Sequence, residues 1–251
     1  MPSSAGRDLV EKVLRGVLKF RQTGKLQMME ELARASSGHT PTALFLSCMD
    51  NRILPYKAMQ IHDGSTMFIV RNPGNMVPHA GVEPGVATEP AALQLACVIA
   101  GVHHVVVCGH SDCKAMATLY KYKDGAPDGD NLPLNKYLHN YGKSSLDKLH
   151  LTVKQQQTLT FIPDIESQRF DAAIDPDHKL GFLDKLSQIN CLQQVENVAS
   201  HPFLRAPLTN STLYLHAMWF CLRTAEMFYF SKEHKDFVPL NEEIIEKILA
   251  L

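Results

Sequence analysis

The sequence predicts an α/β fold in which a mostly parallel central sheet is flanked by helices, with an antiparallel strand added near the C-terminus and an N-terminal helical arm. Short apolar segments alternate with segments of helical periodicity in the first half of the chain. The apolar segments are continuous, as in parallel strands that are buried on both faces. An amphipathic segment precedes the first of them, and an alternating segment with a hairpin return lies near the C-terminus.

The N-terminal arm is predicted to span residues 1–36. Its apolar residues follow helical spacing over 7–21, and a second, shorter helix is predicted over 24–36. The arm is basic and amphipathic, as a mitochondrial presequence is, although Asp8 and Glu11 are unusual in such peptides. We favour an ordinary surface helix of the mature protein over such a presequence.

The remaining residues, 37–251, are predicted to form a single α/β catalytic domain. In its first half the apolar segments predict strands and the periodic segments predict helices. The predicted strands are 42–48, 66–72 and 103–109, the helices are 88–101 and 112–123, residues 53–62 are mixed, and the Gly- and Pro-rich segment 73–85 is a loop.

The second half of this domain has a weaker pattern. The segment 124–148 is polar and is predicted to be a loop with a weak helix, whereas 178–200 is predicted to be helical. Alternation over 211–220, followed by a second apolar run at 226–231, predicts a strand and its hairpin return. The segment 241–251 predicts a terminal amphipathic helix.

Composition excludes several classes of function. The formal net charge of -1 gives no electrostatic basis for binding nucleic acid, and no segment approaches the roughly 18 consecutive apolar residues of a membrane span. Six cysteines are spread along 251 residues, which favours free thiols over a disulfide framework. We therefore expect an intracellular location, either the cytoplasm or the mitochondrial matrix.

Soft, ionisable side chains follow two of the predicted strands. Cys48 ends the first apolar strand, and His110 and Cys113 follow the strand at 103–109. Ligands bind beyond the carboxyl ends of parallel strands, so these residues can meet in space. Two thiolates and one imidazole suit Zn²⁺, and a three-ligand set leaves the open position that is typical of a catalytic site. Cys108 is a tempting fourth ligand, but it lies within the strand, two residues before His110, and strand neighbours of His110 need not point at the metal.

Asp50 and Arg52 follow the first predicted ligand directly. A carboxylate there can accept a hydrogen bond from a zinc-bound hydroxide, and Arg52 can hold it ionised through a charge-assisted pair. The alternative is a surface ion pair of little energetic value.

These residues carry a resemblance to a known family. "CMDNR" (48–52) followed by "HSDC" (110–113) resembles the C-x-D-x-R and H-x-x-C motifs of the β-class carbonic anhydrases. The resemblance extends to "FIVRNPGNMVP" (68–78), to 89–116, and to "YLHAMWF" (214–220). It covers roughly residues 5–240 and is strongest to the animal members.

The resemblance implies the activity and the site. Cys48, His110 and Cys113 would hold one Zn²⁺ per chain, and Asp50 with Arg52 would be the catalytic dyad of reversible CO₂ hydration to bicarbonate and a proton. In some members the aspartate becomes a fourth zinc ligand in a closed state, which for Asp50 is expected at low pH.

The resemblance also implies a homodimer or a dimer of dimers in which the N-terminal arm packs on the partner subunit. The substrate-orienting glutamine of plant-like members corresponds to His39, and Gln60 is a possible substitute. Ile61 and Leu95 are candidates for an apolar wall facing CO₂. No proton shuttle is identifiable, and His103 and His104 are better explained as structural or surface groups.

Two other classes of function stay open from the sequence. One is a related zinc hydrolase that acts on another small electrophile such as carbon disulfide. The other is a non-catalytic protein, either a zinc or bicarbonate sensor or a dithiol redox protein that uses Cys48 and Cys113.

Overall fold

The protein was analysed as a computed structural model of the single chain. Side chains are described except at 4–7 and 153–155, where only the backbone is. The described residues are 4–36, 38, 40–61, 67–82, 87–124, 132–155, 158–163, 165 and 168–249.

A six-stranded sheet forms the centre of the molecule, in the order β2-β1-β3-β6-β7-β8. The first four strands in this order are parallel, and β7 and β8 extend the sheet antiparallel. The strands are β1 (Ala43–Cys48), β2 (Met67–Asn72), β3 (His104–His110), β6 (Tyr214–Cys221), β7 (Glu226–Ser231) and β8 (Asp236–Pro239). The predicted fold class is confirmed, and β8 is an additional strand that the sequence pattern did not predict.

Helices cover the sheet: α7 packs on β3 and β6, and α5 and α6 pack on α7 and on each other. A π-helical segment, Gln94–Ile99, continues α4, and short 3₁₀ turns occupy Pro73–Asn75 and Pro202–Leu204. The helices are α1 (Ser4–Thr23), α2 (Lys25–Ser36), α3 (Pro55–Met59), α4 (Thr88–Leu93), α5 (Lys114–Tyr120), α6 (Pro133–Gln155), α7 (Phe182–Ala199), α8 (Arg205–Thr209) and α9 (Glu242–Leu249). Among the helices described, none combines the length and the apolar character needed to cross a bilayer.

The prediction of loop and weak helix over 124–148 was wrong, because a 23-residue helix, α6, occupies most of it. The buried residues of α6 recur at helical spacing, at Leu138, Ser145 and Leu149 among others, but polar residues between them conceal the stripe. A second, two-stranded sheet, β4 (Leu159–Phe161) with β5 (Phe170–Ala172), was also not predicted. Strands of three residues give too short a pattern to recognise.

The two faces of the central sheet are covered unequally. The face that carries Leu46 and Val107 packs against the helices and belongs to the main core. On the other face a small cluster of Phe45, Met67 and Cys108 is buried, and its partly buried neighbours include Ile61. The apolar side chains of α1 are 53% to 64% exposed over Leu9, Val10, Val13, Leu14, Val17 and Leu18.

Gly142 marks the closest approach of α6 to its neighbours. A Cβ atom there would lie 2.6 Å from Leu119 Cδ2 and 2.9 Å from Met76 Cε, and both of those side chains are fully buried. The absence of a side chain therefore allows α6 to pack against α5 and the turn after β2.

We expect Gly142→Ala to destabilise the fold. Overpacking costs about 1–3 kcal/mol, which exceeds the roughly 1 kcal/mol that alanine gains over glycine inside a helix. Urea unfolding followed by circular dichroism measures the change. Ser144→Ala, at an exposed position of the same helix, is the control and should leave stability unchanged or slightly higher; a more stable Gly142→Ala protein would contradict the packing argument.

Candidate metal centre

Three predicted ligand residues meet at one edge of the sheet. Cys48 is the last residue of β1, His110 is the last residue of β3, and Cys113 directly precedes α5. Because β1 and β3 are adjacent and parallel, their carboxyl ends lie side by side. The three ligand atoms lie within 4.8 Å of one another, and the two sulfur atoms are 3.9 Å apart.

The histidine presents a free lone pair to this cluster. His110 Nδ1 lies 2.8 Å from the carbonyl oxygen of Ser111, which can only accept, so Nδ1 carries the proton. The other ring nitrogen, Nε2, is fully buried and has no hydrogen-bond partner among the described residues. A buried acceptor without a partner is costly unless something binds it, and a metal ion satisfies this requirement.

The two thiols are electrostatically coupled. The hydrogen bond with Cys113 lowers the pKa of Cys48 against the opposing effect of burial, and the neighbouring His110 side chain and the backbone N–H groups of Gly74 and Asp50 lower it further. The hydrogen bond to Cys48, burial and the charge of Cys48 raise the pKa of the Cys113 thiol well above its ordinary value. A second thiolate beside the first requires a positive charge between them, and a divalent cation supplies it. The donor set of two sulfurs and one nitrogen suits Zn²⁺.

Cys108 does not join the cluster. Its sulfur lies on the opposite face of the sheet, with Phe45 and Met67, and its nearest polar contact is the carbonyl oxygen of Gly109 at 3.5 Å. Within the described part of the chain, the cluster of Cys48, His110 and Cys113 is the one group of three or more His, Cys, Asp and Glu side chains able to hold a metal.

Asp50 and Arg52 form a tight ion pair in the loop after β1. The guanidinium binds both carboxylate oxygens, with Nε 2.9 Å from Oδ1 and Nη2 2.8 Å from Oδ2. The backbone N–H of Arg52 donates to Oδ1 as well, at 3.0 Å. These hydrogen bonds hold the pKa of the Asp50 carboxyl well below its usual range, so a nearly buried carboxylate stays ionised beside the cysteines.

Two further residues, which the sequence patterns did not identify, hold this loop. Asp112 accepts a hydrogen bond from Arg52 Nη1 at 2.6 Å, and its carbonyl oxygen accepts one from Nη2 at 2.9 Å. Arg71 donates to the backbone carbonyls of Cys48 at 3.1 Å and Asp50 at 2.6 Å. Asp112 lies inside the "HSDC" motif, but its backbone has a φ of 52°, and this turn toward Arg52 is not visible in a sequence.

The other residues that the sequence analysis named lie away from the three ligand residues or form contacts with other parts of the chain. His39 is outside the described residues. Gln60 donates to the carbonyl oxygen of Lys57 at 2.8 Å, and Leu95 is 51% exposed on the π-helical segment. His103 and His104 lie at the amino end of β3, opposite to the cluster, where they contact Thr212 and His216.

The fold and the cluster together define an α/β protein with a three-donor site suited to one metal ion. The carbonic anhydrase family model matches residues 43–227. Beta carbonic anhydrase 1 of Caenorhabditis elegans is 40% identical over 249 residues, which cover 96% of this chain and 92% of the relative. The carbonic anhydrase of Pseudomonas aeruginosa is 26% identical, with 94% and 92% covered.

Solved structures agree on the fold. The β-carbonic anhydrase CcaA superposes with a TM-score of 0.74 at 24% identity, over 94% of this chain and 93% of that chain. The Coccomyxa β-carbonic anhydrase in complex with acetazolamide gives 0.62 at 18% identity, with 86% and 83% covered. The chain therefore belongs to the β-carbonic anhydrase family, and its enzyme class is that of carbonic anhydrases, which are lyases.

We expect the purified chain to hold one zinc ion and Cys48→Ser to lose it. Losing a hydrogen bond to a metal ligand typically weakens metal affinity by roughly 10–100-fold. Removing a ligand itself should weaken zinc affinity by more than this. Elemental analysis and competition with a chromophoric chelator measure this. Cys97→Ser, at a partly buried cysteine outside the cluster, is the matched control; equal zinc content in both variants would exclude Cys48 as a ligand.

Proposed function

We propose that this chain catalyses the reversible hydration of carbon dioxide to bicarbonate and a proton, with one zinc ion held by Cys48, His110 and Cys113. The observation that carries the proposal is an ionised carboxylate, Asp50, held beside a three-donor cluster that leaves one coordination position for a small molecule. Membership of the carbonic anhydrase family supports the choice of substrate.

The zinc ion, when bound, supplies a Lewis acid that lowers the pKa of water from 15.7 to about 7 and so makes hydroxide available near neutrality. The remaining roles belong to the chain. Asp50 accepts a hydrogen bond from the attacking oxygen nucleophile while staying ionised itself, and this bond directs an oxygen lone pair towards CO₂. Arg52 keeps Asp50 ionised and fixes its direction through two parallel hydrogen bonds.

Arg52 is itself held in place by Asp112. The two contacts to Asp112 use donors that Asp50 leaves available, so the guanidinium plane is restrained from both sides. We assign Asp112 the role of a positioning residue for this pair. Asp50 would become a fourth zinc ligand only in a closed state in which Arg52 releases it, and that state stays a prediction.

Two alternatives are separated by direct measurement. A related hydrolase acting on carbon disulfide would turn over CS₂ faster than CO₂ when both are assayed on the same zinc-quantified sample. A dithiol redox protein would be isolated without zinc and with Cys48 and Cys113 open to oxidation. Stopped-flow CO₂ hydration by the zinc-loaded protein tests the proposal, and the absence of turnover with full zinc occupancy would sink it.

We expect Asp50→Asn to keep zinc but to lose activity. The amide no longer offers an anionic hydrogen-bond acceptor, and removing one preorganised hydrogen-bonding group from a site typically lowers kcat by about 10²–10³-fold. The measurement is kcat/KM for CO₂ alongside zinc content. Asp147→Asn, which breaks only a surface ion pair with Lys143, is the control; retention of full activity by Asp50→Asn would remove Asp50 from the mechanism.

We also propose that the chain assembles as a homodimer or a dimer of dimers in which the N-terminal arm packs on the partner subunit. The exposed apolar stripe of α1 lacks a covering surface within the described single chain. A chain from a crystal-structure study of two tetrameric β-carbonic anhydrases of Sordaria macrospora shares the fold, with a TM-score of 0.60 and 17% identity.

The assembly proposal predicts a change in mass when the stripe is made polar. The double substitution Val13→Gln and Val17→Gln removes apolar area from the stripe, so it should shift the protein towards monomers in sedimentation velocity. Lys12→Gln with Lys19→Gln, on the same exposed helix but outside the stripe, is the control. An unchanged sedimentation coefficient for the valine variant would show that α1 does not hold the assembly.

A further inference from the structure

Buried polar side chains line one side of α7, facing the segment that follows β2. Asn190, Gln194 and Asn197, here called the amide ladder, are each no more than 4% exposed. Gln194 Oε1 accepts from the backbone N–H of Val77 at 2.7 Å, and Asn197 Nδ2 donates to the carbonyl of Val77 at 2.8 Å. Gln194 and Asn197 therefore fix the backbone at Val77, in the segment that follows β2.

The orientation of the Asn190 amide follows from these contacts. A backbone N–H can only donate, so the atom of Gln194 that faces Val77 is its oxygen and its Nε2 points the other way. That nitrogen donates to Asn190 Oδ1 at 2.9 Å, and the hydroxyl of Ser145 lies 3.0 Å from the same oxygen. The Asn190 nitrogen is left to donate, and it lies 2.9 Å from the carbonyl oxygen of Gly74.

Gly74 links this amide to the metal site. Its own N–H points at Cys48 Sγ, 3.4 Å away. The residue has a φ of 80°, a conformation that glycine adopts freely, and a Cβ there would lie 3.1 Å from Met116 Cε and 3.2 Å from Ala115 Cβ. The N–H and the carbonyl of Gly74 lie in the two peptide units on either side of its α-carbon, so a contact that holds the carbonyl limits how far the N–H can turn about φ and ψ.

We propose that Asn190 is a positioning residue that acts through Gly74 on the Cys48 sulfur. By binding the Gly74 carbonyl, Asn190 removes rotational freedom about the same α-carbon and keeps the Gly74 N–H directed at the ligand. That hydrogen bond stabilises the thiolate and restrains its direction. Groups that orient metal ligands typically contribute 10–100-fold to metal affinity. Asn190 touches neither the three ligands nor Asp50 by any hydrogen bond described.

This inference rests on the metal site proposed above, and its test is made on the full chain loaded with Zn²⁺ or Co²⁺. Asn190→Ala removes the donor to Gly74. Asn190→Ser introduces a polar side chain that is too short to reach that carbonyl. It replaces the alanine variant in the test if the alanine variant does not fold. The matched control is Asn197→Ala, which releases the carbonyl of Val77 from the same helix but leaves Gly74 held.

Two readouts separate a ligand effect from a loss of stability. Zinc affinity from chelator competition should fall by about 10–100-fold in the Asn190 variants. In the Co²⁺ protein the sulfur-to-cobalt charge-transfer band should move to longer wavelength, because a thiolate that loses a hydrogen bond gives up its electrons more readily. Asn197→Ala should lower the urea midpoint but leave both readouts unchanged.

The outcomes distinguish the two proposals. If the unsubstituted chain binds neither ion at Cys48, the proposed metal site fails. The role of Asn190 fails if that chain binds both ions but the Asn190 variants keep the position of the charge-transfer band and a zinc affinity within about threefold of the unsubstituted chain. A change that small lies below the expected range of about 10–100-fold. The role also fails if Asn197→Ala shifts the band and the affinity as far as the Asn190 variants do.

Discussion

The parallel pairing of β1 with β3 is the constraint on which the site depends. Ser47 lies opposite Cys108, so β1 ends level with Gly109 and β3 runs one residue further, which brings Cys48 and His110 to the same edge of the sheet. The third donor, Cys113, is brought in by the turn between β3 and α5. A shift in register would displace Cys48 relative to His110 by about 3.3 Å per residue and separate the donors. The packing of α7 against β3, including the Ser187 hydroxyl on the His110 carbonyl at 2.6 Å, holds this register.

Charged side chains surround the three ligand residues at the carboxyl edge of the sheet. Cys48, Asp50 and Asp112 supply negative charge; Arg52 binds both carboxylates, and Arg71 binds the backbone carbonyls of Cys48 and Asp50. Arg52 is therefore shared by two acids, one nearly buried and one exposed. The Asp50 carboxylate remains ionised although it is nearly buried, because it accepts two parallel hydrogen bonds from the partly exposed Arg52 guanidinium. The same contacts that keep Asp50 charged also fix where it points.

Patterns of local origin were predictable. Continuous apolar strands, the helical stripes of α1 and α4, and the spacing of Cys48, Asp50 and Arg52 are properties of short segments, and all are placed as the patterns indicate. The failure at α6 has a tertiary cause. The buried stripe of α6 includes Ser145, which bonds Asn190 instead of facing water, and Gly142, which is required by close packing. A polar or small residue that is buried because of a distant partner is indistinguishable in sequence from an exposed one.

The sequence by itself determined the fold class and the chemical type of the donors, because hydrophobic periodicity and side-chain chemistry are local properties. Tertiary structure alone decided which groups surround those donors. Asp112 reaches Arg52 across 60 residues of chain, and Asn190 reaches Gly74 across 116. Such contacts depend on the relative placement of strands and helices and on backbone turns such as that of Gly74. No local pattern encodes them, since many different partners could satisfy the same polar group.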